Sequence, residues 1–320
     1  MAPHIFIALC FALGSTTLKP QDFEIVTTTA MVGDIAEHVV GDRGSINSLM
    51  GVGVDPHLYK PTAADAKKIL SCDIVFYSGL MLEGRMTDTF MKAARIGKRV
   101  YPVTELIDEN FLLEPEEMEG HWDPHVWMDV SAWSHAVDAV ANAMCEQDVE
   151  HCNDYQERAA AYKKELSALH LYIQQSISSI PKERRVLITA HDAFNYFGRA
   201  YGIEVIGIQG LSTESEAGID DMNKLVDLLV AKQIQAVFVE SSVSDRNVIA
   251  LIEGAKARGH EVRIGGRLFS DAMGESETYE GTYIGMLDHN ATTISRALGG
   301  DAPVGGMQNK LANHTSNGHK

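Results

Sequence analysis

The chain has 320 residues, 45% hydrophobic and 22% charged, with a formal net charge of −17. These proportions suit a globular protein of two ordinary-sized domains and exclude a wholly disordered chain or a multi-span membrane protein. The acidic surplus repels phosphate backbones, so nucleic acid is set aside as a partner; solubility is its plain meaning.

The first residues, MAPHIFIALCFALGSTTLKP, hold an apolar stretch from Ile5 to Gly14 that suits the h-region of a signal peptide. No Lys or Arg precedes Lys19, so the usual positive n-region is missing. Residues 1–22 are expected to be a signal or targeting segment, with export to the periplasm or the outer face of the cytoplasmic membrane. IALC, ending at Cys10, is similar to a lipoprotein box, although Leu9 is larger than the residue usual there. A lipid anchor at Cys10 therefore has little support, and an inert N-terminus or a short apolar strand is the alternative. No apolar run reaches the ~18 residues of a membrane-spanning helix.

From residue 23 the chain alternates short β-rich runs with helical patterns. FEIVTTTA (23–30) predicts a strand and MVGDIAEHVVGD (31–42) a helix ending near Gly41. SINSLM (45–50) predicts a second strand. TAADAKKILSC (62–72) predicts a helix with Thr62 as N-cap and Asp65 at its third position. DIVFYSG (73–79) follows as a strand, RMTDTFMKAA (85–94) as a helix and RVYPVT (99–104) as a fourth strand. This β-α rhythm implies a parallel sheet covered by helices.

The rhythm breaks at a polar, acidic loop, 105–124. A helix follows at 131–147. Residues 153–180 hold no glycine and no proline, and Pro181 stops them. They predict one helix of about 28 residues, near 42 Å long, able to run from one domain to the other. Then strands are expected at 185–191, 204–210, 236–241 and 261–266, and helices at 193–201, 220–233, 245–258 and 278–298.

The expected fold is thus α/β: two four-stranded parallel-sheet domains joined by one long backbone helix. The divisions are an N-terminal lobe at 23–150, the connecting helix at 151–181, a C-terminal lobe at 182–299 and a disordered polar tail at 300–320.

The cysteines are Cys10, Cys72, Cys145 and Cys152, with no C-x-x-C among them. That removes support for thiolate zinc sites and thioredoxin chemistry. Cys72 reads as core. Cys145 and Cys152, seven apart across a helix–turn–helix, either pair in an oxidising compartment or remain two free thiols.

In open α/β sheets, ligands gather at the carboxyl ends of the strands. Four strand-end loops each offer one donor: His57 after SINSLM, His125 after RVYPVT, His191 closing RVLITAH, and Asp271 after EVRIGG. Three imidazoles and one carboxylate suit zinc, and also manganese or iron. The tripeptide Asp-Pro-His occurs twice, around His57 and His125. Its proline stiffens each loop, and Asp55 and Asp123 are candidates to brace the histidines from outside, though Asp-Pro is also a common turn start. Any single histidine among the thirteen is more often a surface or core residue than a ligand. His38, His121, His135, His151, His170, His260, His289, His314 and His319 are assigned no metal role, with His121 the closest to one.

Other chemistries have no matching motif: there is no HExxH, Walker A, G-x-S-x-G or EF-hand loop. Glu214 and Glu216 could pair as acid and base, but a solvated loop is the plainer reading. A metallohydrolase would need an open metal position and a general base, for which Glu214 or Glu240 are the candidates.

Taken in order, VTTTAMVGDIAEHVVGD, GVDPHLYKPTAADAKKILSCDIVFYSGLMLEG, DPHVWMD, YQERAAAYKKEL, TAHDAFNYFGRAYGIEVIGIQGLSTESEAG and LFSDAMGE…TYIGMLDHN resemble the cluster A-I, or TroA-like, metal-binding proteins of ABC importers. The resemblance covers roughly residues 23–298. It implies two α/β lobes bridged by a rigid helix with one divalent metal between them, its ligands falling on His57, His125, His191 and Asp271. The metal would be a transported Zn2+ or Mn2+, with Fe2+ a further candidate, and not a catalytic centre. The partners implied are the importer's permease and ATPase, and the protein itself is expected to be a monomer and not an enzyme. Manganese-dedicated relatives often carry Glu at the third ligand, where this chain has His191. Zinc-dedicated relatives often carry a long His-rich loop before the second, where this chain has a short one. The mixed His3Asp subtype is therefore expected. An adhesin-like surface protein is a further alternative.

Overall fold

The computed structural model describes residues 23–115, 119–215 and 217–311. The expected targeting segment with Cys10, the residue Glu216, and positions 312–320 with His314 and His319 lie outside the described residues.

The N-terminal half builds a four-stranded parallel sheet in the order β2-β1-β3-β4 from β1 (Phe23–Thr27), β2 (Gly44–Ser48), β3 (Ile74–Tyr77) and β4 (Arg99–Pro102). Ile25 stands opposite Ile46 on one side and Ile74 on the other, so the central strands present continuous apolar faces to helices above and below. The helices α1 (Ala30–Val40), α2 (Ala63–Ser71) and α3 (Thr87–Arg95) connect the strands. α2 starts where its capping box sets it: Thr62 accepts the Asp65 N–H at 3.2 Å and Asp65 accepts the Thr62 N–H at 2.8 Å. Each bond satisfies an amide that the first helical turn would otherwise leave orphaned.

After β4 come α4 (Val130–Gln147), capped by Asp129, and the spanning helix α5 (Cys152–Ser178) of 27 residues, about 40 Å long. Its buried positions Tyr155, Ala159, Tyr162, Leu166, Leu169, Ile173 and Ile177 recur every three or four residues and form one stripe. That stripe packs on α4 and α1 near its start and on α6 and α9 further along. A disulfide joins Cys145 near the end of α4 to Cys152 at the start of α5, resolving the choice between a pair and two free thiols. Cys72 is a buried free thiol.

The C-terminal half holds β5 (Val186–His191), α6 (Asn195–Tyr201), β6 (Glu204–Gln209), α7 (Ile219–Ala231), β7 (Ala236–Glu240), α8 (Arg246–Ala257), β8 (Arg263–Leu268) and α9 (Tyr283–Ala297). Its strands form two parallel two-stranded ladders, β5-β6 and β7-β8, with β5 and β7 lying side by side. The spatial order matches that of the first lobe, but among the described residues no ladder joins β5 to β7. At the carboxyl end a side chain takes that place: the His191 backbone N–H donates to Glu240.

Most element ends shift by one to three residues from the sequence expectation, and two larger departures have a visible cause. α9 begins at Tyr283, not 278, because Thr282 caps it by accepting the Gly285 N–H. Residues 300–311, expected as the start of a disordered tail, pack back on the lobe instead. Ala302 is buried, and the Met307 N–H donates to Asp288 at 2.9 Å.

One apolar cluster runs through both lobes, from Phe23 and Ile35 through Trp133, Tyr162 and Leu169 to Tyr283 and Ile294. Smaller clusters cover the outer faces of the two sheets.

Candidate metal centre

The two Asp-Pro-His turns share a backbone device. In the first, the His57 N–H donates to Asp55 Oδ1 at 2.8 Å; in the second, the His125 N–H donates to Asp123 Oδ1 at 2.9 Å. Each aspartate bridges the proline and turns the following imidazole toward the same point. Beyond that the turns differ. Asp123 Oδ1 also lies 2.7 Å from His125 Nδ1, so Asp123 orients the ring itself. Asp55 instead accepts the Thr213 hydroxyl from the C-terminal lobe and braces only the His57 backbone.

His191 is the last residue of β5, and Glu240 the last of the neighbouring β7. Glu240 accepts the His191 N–H on Oε1 and, at 2.5 Å, the ring Nδ1 on Oε2. β6 can run close enough to support this corner because Gly207 has no side chain: a Cβ there would sit 2.6 Å from the Asp192 backbone. Asp271 follows β8, with the Ser242 hydroxyl 3.4 Å from Oδ2.

These elements bring His57, His125, His191 and Asp271 together, with one donor atom from each within 4.8 Å of the others. His57 Nε2 is 3.2 Å from His125 Nε2. Asp271 Oδ1 is 3.6 Å from His125 Nε2, and Oδ2 is 3.2 Å from His191 Nε2. A tetrahedral ion with bonds of about 2.0–2.1 Å spaces its donors roughly 3.4 Å apart, so these separations match such a shell. The centre is closed: His125 and His191 are fully buried, Asp271 is 2% exposed and His57 8%. His191 Nε2 and Asp271 Oδ1 are buried with no hydrogen-bond partner. A buried polar atom left unpaired is costly, and a shared cation would satisfy both.

The electrostatics fit a cation. Asp55, Asp123, Asp192, Glu240 and Asp271 surround three imidazoles. Burial would raise Asp271, but the His191 charge beside it, followed by His57 and His125, takes its carboxyl well below the usual carboxylate range. Burial would lower His191, yet Glu240 and then Asp271 hold it well above the ordinary histidine value. His57 is pushed down to about 4 by burial, with Asp271 opposing. Burial raises Asp55 and Asp192.

The remaining described histidines, none of them assigned a metal role, sit elsewhere. His38 stacks on Tyr162, His151 bonds Asp148, and His170 lies 3.2 Å from the Tyr201 hydroxyl. His260 and His289 bond backbone carbonyls, and His135 lies near Phe111. His121 is exposed and lines the mouth of the centre, a cavity of about 330 Å³ bounded also by His57, Leu80, Met81, Trp122 and Glu214. Glu214 pairs with Arg85 at 2.6 Å across that mouth. The two general-base candidates, Glu214 and Glu240, are thus both engaged by other groups.

Sequence reasoning missed the role of Glu240. The available signal was an acid closing a strand parallel to the one closed by His191. It also missed Trp127, whose indole N–H donates to the Ser270 carbonyl beside Asp271, and Tyr196, whose hydroxyl donates to the Asp123 carbonyl. Residues so distant in sequence gave no pattern to read.

The chain matches the family described as the periplasmic zinc-uptake complex component A over residues 25–297. It is 48% identical over 278 residues to the manganese-binding lipoprotein MntA of Bacillus subtilis (strain 168), covering 87% of this chain and 90% of that one. It is 45% identical over 274 residues to the zinc-binding protein TroA of Treponema pallidum (strain Nichols), covering 86% and 88%. Among solved structures, the periplasmic zinc-binding protein TroA from Treponema pallidum superposes with a TM-score of 0.84 at 44% identity, over 87% of this chain and 99% of that one.

Proposed function

Since the chain belongs to the periplasmic zinc-uptake component A family, we propose that it is the extracytoplasmic solute-binding protein of an ABC importer. In this reading it captures one Zn2+ or Mn2+ between its lobes and hands it to a membrane permease driven by an ATPase. His57, His125, His191 and Asp271 hold the ion, which is cargo and not a catalyst. The protein works as a monomer outside the cytoplasm.

The observation that carries this reading is the closed His3Asp cluster, with the buried, unpartnered His191 Nε2 and Asp271 Oδ1 aimed into it. Four protein donors complete a tetrahedral shell, whereas a catalytic zinc keeps a position for water. The engagement of Glu214 by Arg85 and of Glu240 by His191 argues in the same direction. The Cys145–Cys152 disulfide accords with an oxidising compartment. Two close relatives are named for different metals, manganese and zinc. A His3Asp shell accepts either, and at equal supply zinc binds more tightly by the usual order of first-row ions.

Elemental analysis of protein purified from its host, with competition titration by zinc and manganese, tests the reading. One equivalent of metal, lost in Asp271→Ala, is expected. Full metal content in Asp271→Ala, or hydrolytic turnover lost with the metal, would overturn it.

A further inference from the structure

The four candidate ligands are not held alike. Each side of His125 is tied to a segment that carries another ligand. Upstream, the Tyr196 hydroxyl donates to the Asp123 carbonyl at 2.8 Å and accepts the Leu113 N–H at 3.0 Å, while Asn195 donates to Asp123 Oδ2 at 3.2 Å. Asn195 and Tyr196 open α6, four and five residues after His191. Downstream, the Trp127 indole N–H donates to the carbonyl of Ser270 at 2.9 Å, immediately before Asp271, and the Tyr283 hydroxyl donates to the Trp127 carbonyl at 2.6 Å. Trp127, Tyr196 and Tyr283 are fully buried. His125 belongs to the N-terminal half by sequence, yet the hydrogen bonds of Asp123 and Trp127 on either side of it fasten its segment to the C-terminal lobe.

His57 is different. Its loop leaves the edge strand β2 and is braced within its own stretch: Asp55 holds the His57 N–H, and Tyr59 donates to Asp65. The reach across the cleft is from the Thr213 hydroxyl to Asp55, two residues away. His57 is also the ligand that faces the mouth cavity.

We propose that Trp127 and Tyr196 are positioning residues that lock His125 in register with His191 and Asp271. The cation then loads onto a prebuilt three-donor face, and His57 is the ligand added last and withdrawn first. This rests on the metal-capture reading above. The two hydroxyl and indole bonds hold backbone carbonyls, so they set where the ligand-bearing segments sit without touching the ion.

Cobalt(II) is a suitable probe, because its visible absorption is strong in a four-coordinate shell and weak once added waters raise the coordination number to five or six. Wild-type protein, Tyr196→Phe, Trp127→Phe, the double variant, His57→Ala and the triple variant are titrated with Co2+, with each unfolding midpoint recorded. His57→Ala is expected to keep one Co2+ at lower affinity with a weakened visible band. The Trp127→Phe and Tyr196→Phe pair keeps all four ligands, yet is expected to lose about tenfold or more in affinity. The same loss should recur when the pair is placed in His57→Ala, because the pair acts on the other three donors. A folded pair with wild-type affinity and spectrum, or a loss that vanishes in the His57→Ala background, would overturn the proposal. Should the pair not fold, Tyr196→Phe, which removes a single oxygen, decides by the same criteria. Wild-type protein that takes up no Co2+ would overturn the metal-capture reading itself.

Discussion

Glu240 accepts both N–H groups of His191, the backbone amide at 2.9 Å and the ring Nδ1 at 2.5 Å. One carboxylate thereby fixes the position, rotamer and tautomer of the imidazole and leaves Nε2 as the free donor. In Glu240→Gln one acceptor becomes an amide NH2 facing a donor. Metal affinity should fall by about 10–100-fold, read by competition against a chelator of known affinity. An unchanged affinity would show that Glu240 serves only to join β5 and β7.

The same carboxylate couples binding to protons. Glu240 and Asp271 together raise His191 above the ordinary 6.5, despite its burial. Its protonated form therefore stabilises the metal-free fold below the unfolded-state value of about 6.5, and that contribution is lost as pH rises through the folded value. Metal requires the neutral ring, so affinity moves oppositely and rises with pH across this window. His57, pushed down to about 4, is already neutral there and releases nothing. Metal binding near neutrality should release the His191 proton, measured calorimetrically in buffers of different ionisation enthalpy. Proton-independent binding between pH 7.5 and 5 would contradict the assignment of His191 as a ligand.

The Cys145–Cys152 bridge staples the end of α4 to the start of α5, on segments that carry none of the four donors. Closing a loop this short constrains the unfolded chain by about 2–3 kcal/mol in the loop-entropy account. Replacing both cysteines with serine should lower the unfolding free energy by about that much and leave metal affinity within twofold. A large loss of affinity would show that the bridge reaches the centre through α4.

Much of this was legible in the sequence because it is local. Alternating apolar runs marked the strands, Thr62 and Asp65 marked the start of α2, and the strand-end rule singled out the four side chains that meet. What was not legible depends on contacts between distant segments. Glu240 reads as one more acid until β5 and β7 lie side by side. The polar composition of 300–311 suggests disorder, yet the buried Asp288 accepts the Met307 N–H and ties that stretch down. The two Asp-Pro-His turns look alike in sequence, and only the fold separates Asp123, which orients a ring, from Asp55, which holds a loop.

The remaining prediction concerns movement. A shared apolar cluster runs through α1, α4, α5 and α9, so the lobes cannot part without exposing side chains such as Trp133, Tyr162 and Tyr283. Fully burying one large apolar side chain is worth about 1.5–3 kcal/mol, and several would be uncovered at once. Asp34 adds a polar tie, accepting the Tyr162 hydroxyl of α5 and, at 3.0 Å, the Tyr283 N–H at the start of α9. Metal loading should therefore work through local shifts on the order of 1–2 Å, the scale of packed helices sliding, concentrated near His57 and the Thr213 loop. Small-angle X-ray scattering should show nearly equal radii of gyration with and without zinc. Asp34→Ala leaves two buried donors unsatisfied and should widen the difference while lowering stability. A many-ångström contraction of the wild-type protein on zinc binding would mean that the shared core opens, contrary to its packing.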